Sequence, residues 1–163
     1  MKKYDKQDQR SLAIWAANCA KRVLPFFEKA YSGDDRPRKA IEVCREWVRT
    51  GVFRMADIRS ASLSAHTAAR KAKENNAACF AAHAAGQAVA TAHVPQHAFG
   101  ALYYALKAVA TAEPKSGEVK IAQEHNWQLE CLPEYLRQEV LNKVTIRKSE
   151  RGLLIRIQKG KDF

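Results

Sequence analysis

The chain has 163 residues, 47% of them hydrophobic and 28% charged, which is the composition of one globular domain. This composition excludes an intrinsically disordered chain, a collagen-like repeat and a small disulfide scaffold. The 28 Lys and Arg outnumber the 17 Asp and Glu, and the net charge of +11 favours an acidic partner. Only five Pro and seven Gly interrupt the chain, which predicts long helices rather than many short strands.

The N-terminus and the cysteines both predict a cytoplasmic protein. Asp5 and Asp8 follow the first lysines, and the apolar segment of a signal peptide does not come after them. The longest apolar stretch, 77–94, is mostly alanine and falls short of a membrane span. The four cysteines are 25, 35 and 52 residues apart, without a CxxC pair, which predicts buried free thiols in a reducing compartment.

Two helices are predicted on either side of a short polar loop. Apolar residues recur at spacings of three and four over about 8–29, and Pro25 is expected to bend or restart this first helix. In the loop YSGDDRP that follows, the aspartates are candidate N-caps and the proline suits a first helical turn. An apolar face over 40–48 predicts the second helix, which Gly51 ends.

The middle of the chain is rich in alanine, the best helix former. Over 56–112, 21 of 57 residues are alanine, and three helices are predicted at about 55–73, 76–93 and 96–112. One helix over 76–112 would be about 55 Å long, whereas a domain of this size has a radius of gyration of about 15 Å. A turn is therefore expected at HVPQH, and the closely packed alanine-rich helices are expected to form the centre of a bundle.

Two more helices and a basic end complete the chain. The helices are predicted at about 118–131 and, after Pro133, to residue 143. The last twenty residues fit either a hairpin of TIRK with LIRI or a frayed basic tail. The sequence thus predicts an all-α, single-domain compact bundle of six to seven helices with an Ala-rich centre over 1–143, and a basic C-terminal extension over 144–163.

Histidines in the alanine-rich segment raise the hypothesis of a metal site, because imidazole is a common zinc ligand. They are His66, His83, His93 and His97. Pro95 interrupts the last pair, the segment holds only Asp57 and Glu74 as acids, and HExxH does not occur. The pattern favours histidines that pack between helices or cap them, and a cofactor is not expected. The alternative is a small metal- or histidine-dependent enzyme that uses these four side chains.

Basic residues offer a third hypothesis, an accessory nucleic-acid-binding protein. Arg36 and Arg38 oppose the dipole of the second helix, so they either pair with Asp34 and Asp35 or point outward to bind a carboxylate or phosphate. The other basic residues are dispersed and match no RRM, KH or zinc-finger pattern. Nonspecific binding of nucleic acid at low salt is therefore expected.

Four segments together resemble a known family: DDRPRKAIEVCREWVRTG, SAHTAARKA, AAHAAGQAVATAHVPQHAFGALYYALKAV and LPEYLRQEV. Over about 8–143 the chain resembles small all-helical bacterial immunity proteins with an Imm-5-like domain, which are associated with polymorphic toxin systems. The resemblance implies a protein that is not an enzyme but binds a cognate toxin and blocks its active site or another surface that the toxin needs.

The partner implied by the resemblance is a toxin with an acidic surface, because this chain is basic. Tight protein–inhibitor interfaces bury about 1,600 Å² and depend on a few aromatic or arginine anchors. The candidates for partner binding are Arg36, Arg38, His93, His97 and Trp127, whereas the place of Trp47 on an apolar face favours the core. A membrane partner is not expected, and a homodimer is compatible with closely packing alanine-rich surfaces.

Overall fold

The computed structural model describes residues 4–150 and 152–158. Within them, seven helices precede a two-stranded antiparallel hairpin, which confirms the all-α class and, for the chain's end, the hairpin alternative. The elements are α1 (Lys6–Ala30), α2 (Arg36–Thr50), α3 (Met55–Lys71), α4 (Asn76–Ala90), α5 (His97–Ala112), α6 (Gly117–Glu130), α7 (Glu134–Lys143), β1 (Val144–Ser149) and β2 (Gly152–Ile157).

The first helix begins in a capping box and continues through its proline. The Asp5 carboxylate accepts the Asp8 N–H at 2.7 Å, and the Asp8 carboxylate accepts the Asp5 N–H at 3.3 Å. α1 then runs unbroken past Pro25, so the alternative of a restart there is wrong. Proline removes the hydrogen bond to the carbonyl four residues earlier, but Pro25 and Lys21 are both exposed, so that water can solvate this carbonyl instead.

The centre of the bundle is α4, which packs against α1, α2, α3 and α5. Seven of its eight buried residues are alanine or glycine, and Val89 is the exception. Small side chains let the neighbouring helices approach closely, and large ones from those helices fill the remaining space. The largest fully buried side chains include Trp15 and Phe27 of α1 and Phe99 of α5. The predicted Ala-rich centre is confirmed.

The C-terminal hairpin lies against this bundle along α5. Val144 pairs with Ile157 and Ser149 with Gly152, so TIRK lies opposite residues 153–156, one residue earlier than LIRI. Ile155 is buried, because β2 packs on α5. A frayed tail would leave this apolar side chain in water and would lose the favourable free energy of its burial.

The four cysteines are free but not equally buried. Cys19 and Cys44 are buried, Cys79 is half-buried and Cys131 is exposed. The prediction of buried thiols is therefore wrong for Cys131, which directly follows the end of α6. Among the described helices, none has both the length and the apolarity that crossing a membrane requires.

Candidate partner-binding surface

A short loop between α2 and α3 exposes apolar side chains. Gly51 ends α2 in the left-handed conformation (φ 70°), which glycine adopts readily, and its N–H donates to the Trp47 carbonyl at 2.8 Å. Beyond it, the exposed fractions are 57% for Val52, 44% for Phe53 and 43% for Met55. We call Trp47, Val52, Phe53 and Met55 the apolar patch. Contiguous exposed apolar side chains of this kind are typical of interaction sites.

Trp47 lies between two open cavities, one on each side of this loop. The first, of about 420 Å³, is also lined by Arg10, Phe53 and His93. The second, of about 360 Å³, is lined by Trp47 together with side chains from α2, the loop and α3. Trp47 is half-buried and packs against the core, as its apolar face predicts, and its remaining surface is accessible from both cavities.

Two side chains of α1 that line the first cavity donate hydrogen bonds to backbone carbonyls of other elements. The side-chain amide of Gln9 donates to the carbonyls of Thr91 and Ala92, both at 3.0 Å, just past the end of α4. The Arg10 guanidinium donates to the Val48 carbonyl near the end of α2. These contacts tie α1 to the ends of two other helices, so the cavity is part of the packed bundle rather than a feature of the loop alone.

The rim of the apolar patch is cationic at the first cavity and of mixed charge at the second. Lys6 and Arg10 line the first cavity, and Arg54 lines the second. Two acids, Glu46 and Asp57, also line the second cavity, and Glu46 pairs with Arg49 at 2.6 Å. A surface with an apolar centre and a basic rim is complementary to an apolar protrusion surrounded by acidic groups.

The histidines do not form one site. His66 and His83 meet, with 2.8 Å between their Nδ1 atoms, and His83 also stacks on Tyr104. His97 Nδ1 lies 2.7 Å from the Gln87 Oε1, whereas His93 is exposed at the edge of the first cavity. Across residues 4–150 and 152–158, no three His, Cys, Asp or Glu side chains are grouped so that they could hold a metal ion.

Burial keeps the paired imidazoles neutral. Burial, with a smaller contribution from His83, lowers the pKa of His66 to about 4, and burial also lowers the pKa of His83. Between two neutral rings, the Nδ1 that carries a proton donates a hydrogen bond, and the unprotonated Nδ1 of the other ring accepts it. The pair therefore acts as a hydrogen-bonded connection between α3 and α4, which corresponds to the packing interpretation of these histidines.

Residues 2–135 match the model of a family described as Imm-5 like putative immunity protein. The chain belongs to this family. No curated protein and no solved structure matches the chain. The family match takes in α1 to α6 and the first two residues of α7, so it contains the whole apolar patch and ends before the hairpin.

In this member of the family, the two arginines proposed for partner binding are engaged within the chain. Arg36 Nε donates to the Asp34 carboxylate at 2.8 Å, and Arg38 Nε donates to the Glu28 carboxylate at 2.7 Å. Both lie at the N-terminal end of α2, about 20 Å along the helix from Gly51. The structure thus does not bring them together with the apolar patch.

The remaining partner-binding candidates are also distributed over the molecule. Trp127 lies on α6, with the Arg22 guanidinium 4.0 Å above its ring. His97 opens α5 and is bonded to Gln87, and only His93 shares a cavity with Trp47.

The exposed loop residues of the immunity-family fold were missed by sequence reasoning. The segment VFR directly follows the glycine that ends α2, and Met55 is the first residue of the next helix. Apolar side chains in a three- or four-residue connection have no helical face on which to be buried, and this was the available signal.

Proposed function

We propose that this protein is an immunity protein that neutralises a cognate toxin by stoichiometric binding, and that the apolar patch is the docking surface. The observation that carries the proposal is the exposure of Val52, Phe53 and Met55 beside the half-buried Trp47. Inhibition of this kind requires complementarity and burial rather than a reaction, so the protein would not act as an enzyme.

The patch contains one residue typical of a binding hot spot, Trp47. Hot spots are enriched in Trp, Tyr and Arg and lie in surfaces from which the complex excludes water. Trp47 supplies the aromatic anchor, the cavities beside it would receive partner side chains, and Phe53 would cover them on binding. Full burial of a Val, Phe or Met side chain contributes about 1.5–3 kcal/mol.

The charge of the chain supports a partner with an acidic surface. Lys6 and Arg10 line the cavity on one side of the patch, and the whole chain carries +11. Opposite charges around an apolar centre accelerate association and exclude partners of the same sign. The buried free thiols of Cys19 and Cys44 suit a reducing compartment, and we place the encounter in the cytoplasm.

The test is a capture experiment with a matched control. Tagged wild-type protein, the Val52→Asp/Phe53→Asp variant and Val119→Asp are used as baits in host lysate, after nuclease treatment and at moderate salt. Val119 is the control because it is 63% exposed on α6, remote from the patch in the chain. We expect wild type and Val119→Asp to retain one dominant protein in stoichiometric amount, and the double variant to lose it.

The captured protein is then expressed alone and with each bait. Growth arrest that is relieved by wild type and Val119→Asp, but not by the double variant, supports both the function and the surface. A harmless captured protein overturns the immunity function. Protection by the double variant overturns the surface alone. Recovery of nucleic acid only, when nuclease is omitted, overturns the function and supports a nucleic-acid-binding protein.

A further inference from the structure

Among residues 4–150 and 152–158, the second strand of the hairpin pairs along one edge only, with β1. The Gln158 N–H donates to the Lys143 carbonyl at 2.8 Å, which shows that these two residues form a hydrogen-bonded pair of the ladder. Hydrogen-bonded and non-hydrogen-bonded pairs alternate along antiparallel strands. In the observed register, Leu153, Ile155 and Ile157 therefore direct their backbone N–H and C=O groups away from β1.

A groove runs along this edge, between β2 and α5. It consists of two open cavities of about 450 and 350 Å³. Residues 155–157 line one and residues 153–155 line the other, and both are also lined by α5. The fully described strand β1 contributes no lining residue, so the groove lies on the open side of β2. A groove between a strand edge and a helix accommodates an extended chain.

The groove is lined by apolar side chains and by several polar ones that can donate hydrogen bonds. The Gln87 Oε1 is bonded to His97, and the Gln87 Nε2 donates no hydrogen bond within the described part of the chain. Arg156 lines the same cavity and forms no ion pair with any described residue. Lys107 lines the second cavity, and its Nζ lies 3.4 Å from the Tyr103 hydroxyl.

The acid in the groove is already neutralised. Glu118 is the acidic residue among those lining the two cavities in the described chain, and Lys148 pairs with it at 3.1 Å. Lys107 and Arg156 have no carboxylate partner in the described chain, so a ligand that supplies carboxylates would complement them.

We propose that an extended, acidic segment of a partner protein binds here by adding a third strand to β2. Its backbone would pair with Leu153, Ile155 and Ile157. Alternate side chains of a strand point to opposite faces, so its carboxylates would reach Lys107 and Gln87 on one face and Arg156 on the other. The site shares no residue with the apolar patch and does not depend on the function proposed for it.

Charge favours this occupant over a second copy of the chain. Pairing β2 with its own copy would place Arg156 and Lys107 of both copies along one seam, and cationic side chains at a strand edge oppose such self-association. An acidic strand removes this repulsion and satisfies the same backbone groups.

The test uses the full chain and synthetic peptides about eight residues long, an ordinary strand length. The probe carries Glu in adjacent pairs separated by Thr or Val, so that carboxylates project to both faces of the added strand. One control peptide has Lys in place of Glu, and another carries N-methyl groups on alternate residues, which removes the backbone donors needed for pairing. The protein variants are Lys107→Glu/Arg156→Glu and, as a matched control, Arg147→Glu, because Arg147 is exposed on β1 away from the groove.

We expect the acidic peptide to bind wild type and Arg147→Glu alike and the double variant at least about tenfold more weakly. Both control peptides should bind more weakly by a similar factor. On binding, amide exchange of Leu153, Ile155 and Ile157 should slow, whereas the amides of Leu154 and Arg156 already bond to β1. Equal binding of the N-methylated peptide, equal weakening by Arg147→Glu, unchanged exchange at the three edge amides, or no binding overturns the proposal.

Discussion

The imidazole of His66 lies directly against Gly86, where the absence of a side chain makes room for it. A Cβ at Gly86 would lie 2.8 Å from both Cε1 and Nε2 of the ring, closer than van der Waals contact permits. On its other side the ring meets His83 through Nδ1. The glycine in the otherwise alanine-rich α4 is thus explained by packing between helices rather than by an unusual backbone angle.

Substitution of Gly86 by alanine should therefore destabilise the protein. Alanine favours the helix by about 1 kcal/mol, but overpacking costs about 1–3 kcal/mol and displaces the ring from His83. We expect a net loss of up to about 2 kcal/mol in the free energy of unfolding, measured in urea. Gly33→Ala is the control, because no atom lies within 4 Å of its Cβ position, and it should change stability little. In a His66→Ala background, Gly86→Ala should become neutral or stabilising, and a stabilising effect in the wild type would contradict the packing argument.

The histidine pair also makes stability depend on pH. In the unfolded chain His66 titrates at about 6.5, whereas in the fold its pKa is about 4. Between these values the unfolded state binds the additional proton. The contribution of the neutral His66 ring to the free energy of unfolding is therefore complete above about pH 6.5, and it is lost as the pH falls towards 4.

Urea unfolding at about pH 7 and about pH 5 measures this effect. After allowance for partial exposure of the ring, we expect His66 to account for a loss on the order of 1 kcal/mol. His66→Asn retains a polar group beside His83 but does not titrate, so it should lose less stability over the same interval. The variant should still show some loss, because the pKa of His83 is lowered too. An equal loss in variant and wild type would show that His66 is not responsible.

Helix positions were predictable because local signals determine them. Alanine content indicated the middle helices, and Gly51, Pro95 and Pro133 marked the boundaries between segments. The prediction of 55–73 corresponds to Met55–Lys71, and 96–112 corresponds to His97–Ala112. Such boundaries depend on backbone preferences that neighbouring residues already express.

The contacts between elements, including those that bring Arg10 and His93 to Trp47, could not be predicted to the same degree, because they depend on how helices are rotated about one another. His66 and His83 are 17 residues apart on different helices, and their contact requires that α3 present one face to α4. The choice between hairpin and tail likewise depended on burial of Ile155 against α5, which is a tertiary contact. The pairing of Arg38 with Glu28, rather than with a neighbouring aspartate, is of the same kind.

A buried carboxylate between α1 and α6 should make Arg22 important for stability. The Glu124 side chain is buried, with 7% of the residue exposed. Its carboxylate accepts hydrogen bonds from two guanidinium nitrogens of Arg22 at 2.8–3.0 Å and from the side-chain amide of Gln128 at 3.1 Å. Arg22→Met leaves this charge without its partner, and we expect a loss of about 2–3 kcal/mol in the free energy of unfolding.

Two comparisons separate this effect from general loss of charge. Addition of Glu124→Gln to Arg22→Met removes the buried charge and should recover part of the loss. Arg49→Met removes an exposed arginine that pairs with Glu46, and its effect should stay within about 0.5 kcal/mol. Equal losses from Arg22→Met and Arg49→Met would show that burial of Glu124 has no energetic consequence.

Thiol labelling should distinguish the cysteines by burial. The thiolate is the reactive form, and burial raises the pKa of Cys44 to about 12 and that of Cys19 well above its usual range. Cys44 Sγ also lies 3.3 Å from the Ala88 carbonyl in the packed centre. With a maleimide at mildly alkaline pH, we expect Cys131 to react first and Cys79 more slowly, as followed by peptide mass mapping. Cys19 and Cys44 should react only in concentrated guanidinium chloride, and Cys131→Ser should remove the fast phase. Rapid labelling of Cys19 or Cys44 in the native protein would mean that α1, α2 and α4 do not pack as closely as the alanine-rich centre requires.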